Sequence, residues 1–175
     1  MVKTVLPEIP VFDGLDRHQI EELSSWLQRI EYEPAREIIK EGGPPDGLYV
    51  LAKGTVEVVK STAAVPLIIA DLDAPSVFGE MGLLNAEEER SAGVRAQTRV
   101  ITGFLPAKLF SAKLTEKNLT ALQIGVNLGR IACQRLRATT RRLAALSEDF
   151  ARHALHADST GVCDKRDSGR RGWLR

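Results

Sequence analysis

Between Glu31 and Phe104 the sequence breaks into short β-rich pieces, and that pattern limits the possible folds more than any other feature. The pieces are Glu37-Ile38-Ile39, Leu48-Tyr49-Val50-Leu51, Thr55 to Val59, Pro66 to Ala70 and Ala92 to Phe104, with Gly, Pro and Asp between them. β-Branched and aromatic side chains suit a pleated, half-buried surface, whereas Gly, Pro and Asp suit turns, so many short strands imply a sandwich or a roll. Glu41-Gly42-Gly43-Pro44-Pro45-Asp46-Gly47 reads as a tight connection and Lys53-Gly54 as a hairpin turn.

Helical periodicity flanks this region. Leu15, Ile20, Leu23, Trp26, Leu27 and Ile30 recur near every 3.6 residues and predict an amphipathic helix from Leu15 to Ile30, with Trp26 in the core. A second helical region opens near Ala107, breaks around Asn118 and continues over about 119–146. Leu122, Gly125, Gly129, Ala132, Leu136, Thr139, Leu143 and Leu146 alternate by three and four, the spacing of a heptad seam, beside a second stripe of Ile124, Leu128, Ile131 and Ala138. One stripe is expected to lie on the β region and the other against a second copy; a single intramolecular packing face is the alternative. Residues 147–175 carry little apolar content and are expected to form a basic, partly disordered tail.

One stretch carries chemistry. In Val77-Phe78-Gly79-Glu80-Met81-Gly82-Leu83-Leu84 a glycine ends an apolar run, lets backbone approach a ligand closely and precedes one helical turn whose free N–H groups favour an anion. Glu80 offers two acceptor oxygens to a sugar hydroxyl. Arg90 offers a planar fork of donors to a phosphate, with the Ser91 hydroxyl and backbone N–H groups beside it. A carboxylate for ribose and a guanidinium for phosphate describe a nucleotide.

The ordered set Phe78-Gly79-Glu80 to Arg90-Ser91-Ala92 resembles the phosphate-binding cassette of cyclic nucleotide-binding domains. The continuation through Gly93-Val94-Arg95-Ala96-Gln97-Thr98 is most similar to the catabolite-activator branch of that superfamily. The resemblance implies an α+β fold: an antiparallel β-roll of the jelly-roll, cupin-like kind over about 31–104, flanked by an N-terminal helix and a long C-terminal helix, within a domain of residues 1–146. It assigns the ligand to Gly79, Glu80, Met81, Arg90, Ser91 and Ala92, with Val58, Ile69 and Leu72 on the inner wall and Thr139 or Thr140 touching the base. The implied ligand is cyclic AMP ahead of cyclic GMP, with no metal.

Other classes find little support. No apolar run approaches the roughly 18 residues of a membrane span, and the first residues lack the apolar core of a signal peptide, so the cytoplasm is the expected compartment. Cys133 and Cys163 do not make a disulfide framework, and His153, His156 and Cys163 are too loosely spaced to argue for a metal. The β region holds no histidine and no Gly-x-Ser-x-Gly, which argues against an enzyme, a metal-dependent cupin included. Charge is divided: residues 1–118 carry 13 Lys/Arg and 18 Asp/Glu, residues 119–175 carry 11 and 5. The basic end leaves open an adaptor or nucleic-acid contact with a vestigial pocket. DNA binding is not expected without a further domain, because about 29 residues past Leu146 cannot hold a helix-turn-helix. The reading expected from the sequence is therefore a stand-alone sensor that binds a cyclic nucleotide, dimerises through 119–146 and signals by moving that helix; a fragment of a longer regulator is the alternative.

Overall fold

Among the described residues, eight strands form two four-stranded antiparallel sheets. The computed structural model describes residues 2–63, 65–84 and 89–159, and the chain divides into two units, Met1–Ile131 and Ala132–Arg175. The first sheet has the order β1 (Gln28–Tyr32), β8 (Val100–Pro106), β3 (Gly47–Lys53), β6 (Ser76–Phe78). The second has the order β2 (Glu37–Ile39), β7 (Gly93–Ala96), β4 (Thr55–Lys60), β5 (Leu67–Asp73). The roll expected from the short strands is present.

Two cores follow from strand alternation. Leu48 and Val50 of β3 face one way, with Leu105 of β8, and pack against Leu23 and Trp26 of α2 (Arg17–Trp26), Phe110 of α4 (Ala107–Thr115) and Ile124 and Leu128 of α5 (Leu119–Ser159). Tyr49 and Leu51 face the other way and meet Phe78, Val100, Ile39, Val56, Val94 and Ala96 inside the roll. A strand buried on both faces reads as a continuous apolar run, which explains Leu48-Tyr49-Val50-Leu51-Ala52.

Four sequence expectations are corrected. The amphipathic helix, which follows a short α1 (Val2–Val5), is Arg17–Trp26 and not Leu15 to Ile30: Asp16 and Gln19 form a reciprocal capping box that places Leu15 outside it, and Leu27 is extended at its end. Ile30 lies on β1, where it and Tyr32 alternate with Arg29 and Glu31 and pair with β8. Lys53-Gly54 is a corner between the two sheets rather than a hairpin, because β3 and β4 belong to different sheets. Gly54 has φ +92, and a Cβ there would sit 2.6 Å from the Arg99 carbonyl oxygen. Ala92 to Phe104 is two strands, β7 and β8, separated by Gln97-Thr98-Arg99.

The break around Asn118 is as expected. Lys117 takes φ +56 between α4 and α5, and the Asn118 side chain accepts the Ala121 N–H at 3.0 Å. Glu22 of α2 anchors this corner, accepting from Asn118 Nδ2 at 2.7 Å and Thr120 Oγ1 at 2.5 Å. Farther on, buried Asn127 donates to the carbonyls of Val11 and Asp13 at 3.0 and 2.8 Å. Of the two stripes on α5, Ile124, Leu128 and half-buried Ile131 pack in the core, whereas Leu122 of the other stripe is 42% exposed; Val126, in neither stripe, is 52% exposed beside it. In the second unit the helix continues to Ser159, past the end near Leu146 marked by periodicity; residues 160–175 of the expected tail lie outside the described residues.

Candidate functional site

The cassette begins where β6 ends. Phe78 pairs with Tyr49 across β3 and stacks on its ring at 5.1 Å, which fixes the strand just before the turn. Gly79 then takes φ +73, the left-handed region a glycine enters without strain. Gly82 N–H donates to Gly79 O at 3.1 Å and Leu83 N–H to Glu80 O at 3.0 Å, closing the turn that leads into α3 (Met81–Leu84). Glu80 is half-buried at the start of this turn and Met81 is exposed.

Arg90 is the centre of the site. Its side chain is only 6% exposed. Nη1 donates to Gly79 O at 2.8 Å, Nη2 to Gly47 O at 2.7 Å and to Asp46 Oδ1, and Nε to Pro44 O at 3.3 Å. Its backbone is held as firmly: Arg90 N–H donates to Gly43 O and Gly42 N–H to Arg90 O, both at 2.9 Å. The β2–β3 connection therefore grips Arg90 from both ends. Four of the five guanidinium N–H groups are engaged among the described residues, which leaves one on Nη1 beside the Gly79 turn.

Absent side chains make the seat. A Cβ on Gly82 would lie 2.8 Å from Arg90 Nη1 and 3.2 Å from Pro45 Cβ; one on Gly79 would lie 2.9 Å from Nη1. Asp46 supplies the counter-charge and also accepts from the Tyr49 hydroxyl at 3.4 Å. Burial first, and then the Asp46 charge, push the phenols of Tyr49 and Tyr32 up, so both stay protonated donors.

Other expected site residues fall at several places. Ser91 is exposed and its carbonyl accepts from Lys60 Nζ at 2.7 Å; Ala92 is half-buried. Val58 and Leu72 pack at the roll interior. Ile69 is 53% exposed on β5, at a bulge where Val58 pairs with Ala70 and Val59 with Ile68. Thr139 and Thr140 lie on α5; the Thr140 hydroxyl donates to Leu136 O at 2.9 Å, and the side chain of Thr139 is outside the described residues. Sequence reasoning missed Asp46, Gly42, Gly43 and Gly47 as parts of the site, and read Gly82 within the cassette without giving it a role. For the four residues of the connection the only signal was the density of Gly, Pro and Asp there, which turn formation alone accounts for. Among the described residues no group of three or more His, Cys, Asp or Glu is placed to hold a metal ion. No helix of the described residues is long and apolar enough to cross a membrane.

A β-roll with helices on one sheet, and a buried arginine held over a glycine–glutamate turn, defines a binding domain for a small anionic ligand. The cyclic nucleotide-binding domain family matches residues 29–117, about half of the chain, and the chain belongs to that family. It is 30% identical over 100 residues to a cAMP-dependent protein kinase regulatory subunit of Schizosaccharomyces pombe, covering 57% of this chain and 23% of that protein. It is also 30% identical over 132 residues to the cAMP-activated global transcriptional regulator Vfr of Pseudomonas aeruginosa, covering 73% and 60%. Among solved structures, the Thermus thermophilus catabolite activator protein is similar with a TM-score of 0.71 and 27% identity, over 79% of this chain and 63% of that one. The chain thus spans less than two thirds of the length of these relatives.

Proposed function

We propose that this protein is a sensor that binds a cyclic nucleotide, cyclic AMP in preference to cyclic GMP, and acts by binding rather than catalysis. The observation that carries the reading is the buried Arg90 guanidinium, preorganised by the Gly42–Gly47 connection against Gly79 and Gly82. A cyclic phosphodiester has one negative charge and two exocyclic oxygens, which suit the remaining Nη1–H and the backbone beside it. Glu80 takes the ribose 2′-hydroxyl. The preference for cyclic AMP rests on the two relatives named for it.

In this reading the phosphate competes with Asp46 for the guanidinium, the Gly79–Ala92 segment moves inward, and the base closes against α5 at Thr139 or Thr140. The ligand shifts the population only by as much as it prefers that state. Two copies pair through residues 119–146 in the cytoplasm. Supporting this are Leu122 and Val126, outward on the first unit's part of α5, and Leu136, 69% exposed in the second. Gly129 supports it as well: a Cβ there would meet nothing within 4 Å, so no packing among the described residues explains a glycine that costs a helix roughly 1 kcal/mol.

Calorimetric titration with cyclic AMP, cyclic GMP and 2′-deoxy cyclic AMP tests the proposal. It predicts one site per chain, tighter for cyclic AMP, with a penalty for the 2′-deoxy ligand that disappears in Glu80→Gln. A protein that gives no heat with either nucleotide and no change in melting temperature at millimolar ligand does not have this function.

A further inference from the structure

Away from the cassette, the first sheet carries a second concave cluster of charged side chains. Glu31 of β1 stands opposite Ile101 of β8, and Lys53 of β3 stands opposite the same isoleucine from the other side. Ile101 alternates with Gly103 and Leu105, so this is the face of the sheet that bears the helices, at the end they leave uncovered. Arg29 lies two residues before Glu31 on the same face of β1, and Arg99 comes from the β7–β8 connection. Ile101 is only 8% exposed, yet it packs in neither apolar core. It forms the floor of a cavity of about 230 Å3 whose other lining residues are Arg29, Glu31, Lys53 and Arg99.

The charges of this lining do not cancel. Glu31 takes both arginines, Arg29 Nη2 at 2.5 Å and Arg99 Nη2 at 2.8 Å, and Arg99 first and then Arg29 hold its carboxyl below the usual value. Among the described residues Lys53 Nζ has no partner, and Nη1 of each arginine has no acceptor. Three cations face one carboxylate, an excess of two positive charges, and Glu33, 77% exposed, reaches Arg99 Nε only at 3.8 Å. The corner behind the cluster is held in place: Gly54 has φ +92, Thr55 N–H donates to Thr98 Oγ1 at 2.9 Å, and Thr55 O accepts the Gln97 N–H at 2.9 Å. Lys53 and Arg99 leave that corner on either side of it. The nucleotide site lies elsewhere, because Gly47, whose carbonyl holds Arg90, is six residues before Lys53 on β3, about 20 Å at 3.3–3.4 Å per residue. A cavity of this volume is smaller than the roughly 300–1,000 Å3 that encloses a whole drug-sized ligand, so it suits one charged group and a short body. We propose that this cavity is a second anion site, for a small phosphate monoester: the phosphate meets Lys53 and the open Nη1 edges of Arg29 and Arg99, and the apolar body of the ester lies over Ile101. Planar guanidinium forks match phosphate oxygens, and an excess of two charges suits a monoester dianion better than the single charge of a cyclic phosphodiester. The inference is independent of the cyclic nucleotide reading.

Titration of the isotope-labelled full chain with phenyl phosphate and with inorganic phosphate, followed by backbone amide resonances, tests the site. Phenyl phosphate should saturate shifts at Lys53, Arg99 and Ile101 in the range of about 1 mM or tighter, and inorganic phosphate, with no ring to cover Ile101, should bind at least about threefold more weakly. Lys53→Met and Arg99→Gln should each weaken phenyl phosphate by about 3- to 10-fold, the range for one charge-assisted hydrogen bond at an exposed site. Lys108→Met, which removes the same charge from an exposed position on α4, should change it by less than about twofold. Arg90→Ala leaves the shifts at Lys53 and Ile101 in place, which separates this site from the cassette. A phosphotyrosine peptide titrated alongside distinguishes the source of the phosphate: it binds more tightly than phenyl phosphate if the ester is a phosphorylated side chain of a partner, and no more tightly if it is a free small molecule. No saturable shift at Lys53 and Ile101 by about 10 mM phenyl phosphate, equal losses in Lys53→Met and Lys108→Met, or shifts confined to Gly79, Gly82 and Arg90 overturns the proposal.

Discussion

Gly82→Ala puts the seat of Arg90 to the test without touching a charge. The new methyl carbon would stand 2.8 Å from Nη1 and 3.1 Å from Cζ of Arg90, where ordinary contact begins near 3.4 Å, so the guanidinium has to retreat by about 0.6 Å. It cannot do so freely, because the Nη1 bond to Gly79 O is 2.8 Å long and Nε and Nη2 are tied to Pro44, Gly47 and Asp46. Losing one charge-assisted hydrogen bond costs about 1.5–3 kcal/mol, against a gain of up to about 1 kcal/mol from replacing glycine by alanine in a helical turn. The balance is a loss of about 1 kcal/mol, a fall of roughly 2–4 °C in Tm for a chain of this size. Nucleotide affinity should fall further, by about tenfold or more, because the fork is displaced from the phosphate it was arranged to meet. Thermal scanning with calorimetric titration of the same samples reads both. A variant with wild-type Tm or above, and affinity within threefold of wild type, would refute the packing of Arg90 against Gly82.

Other perturbations address separate parts of the structure. Asn127→Ala leaves the carbonyls of Val11 and Asp13 without their buried donor and should cost about 1–3 kcal/mol in denaturant unfolding; a loss below about 0.5 kcal/mol would contradict the role given to this side chain. Gly129→Ala should stabilise the helix within each chain by up to about 1 kcal/mol yet weaken self-association, so sedimentation showing unchanged dimers, or wild-type monomers at high micromolar concentration, counts against the seam. Glu41 has its pKa depressed from 4.5 to about 2 by Lys60 and Ser61, so its contribution to stability is complete above about pH 4.5 and disappears as the pH falls through about 2. Urea midpoints of Glu41→Gln should accordingly lie below wild type at neutral pH and converge with it toward pH 2; a constant gap would show that the carboxylate charge is not what matters.

Legibility in the sequence follows how local the physics is. The apolar run of β3 could be read because burial on both faces removes polar residues from the strand. The string from Phe78 to Ala92 could be read as a family signature because its residue types stand in a fixed order along one short stretch. Ile30 misled because Leu23, Trp26, Leu27 and Ile30 satisfy a 3.6 period while Gln28 to Tyr32 satisfy a period of two, and only pairing with β8 chooses between them. Lys53-Gly54 misled because a positive-φ glycine serves a corner between sheets as well as a hairpin. Asp46 was hidden for a related reason. An aspartate after two prolines is expected in any turn, and its role appears only when Arg90, 44 residues away, is folded against it. The helix beyond Leu146 lost its apolar period but kept Glu, Ala, Arg and Leu, which favour helix without a packed face.

Arg90→Ala against wild type, titrated with cyclic AMP under identical conditions, is the measurement that bears most directly on the central claim. The buried guanidinium is taken to be the phosphate ligand, and leaving the ligand's charge without its partner costs about 2–5 kcal/mol, so affinity should fall between about 30-fold and several thousandfold. The loop that holds Arg90 keeps its own backbone bonds, which circular dichroism of the variant checks. Binding within threefold of wild type by a folded Arg90→Ala protein would mean that Arg90 only braces the Gly42–Gly47 connection and that the phosphate, if one binds, is held elsewhere.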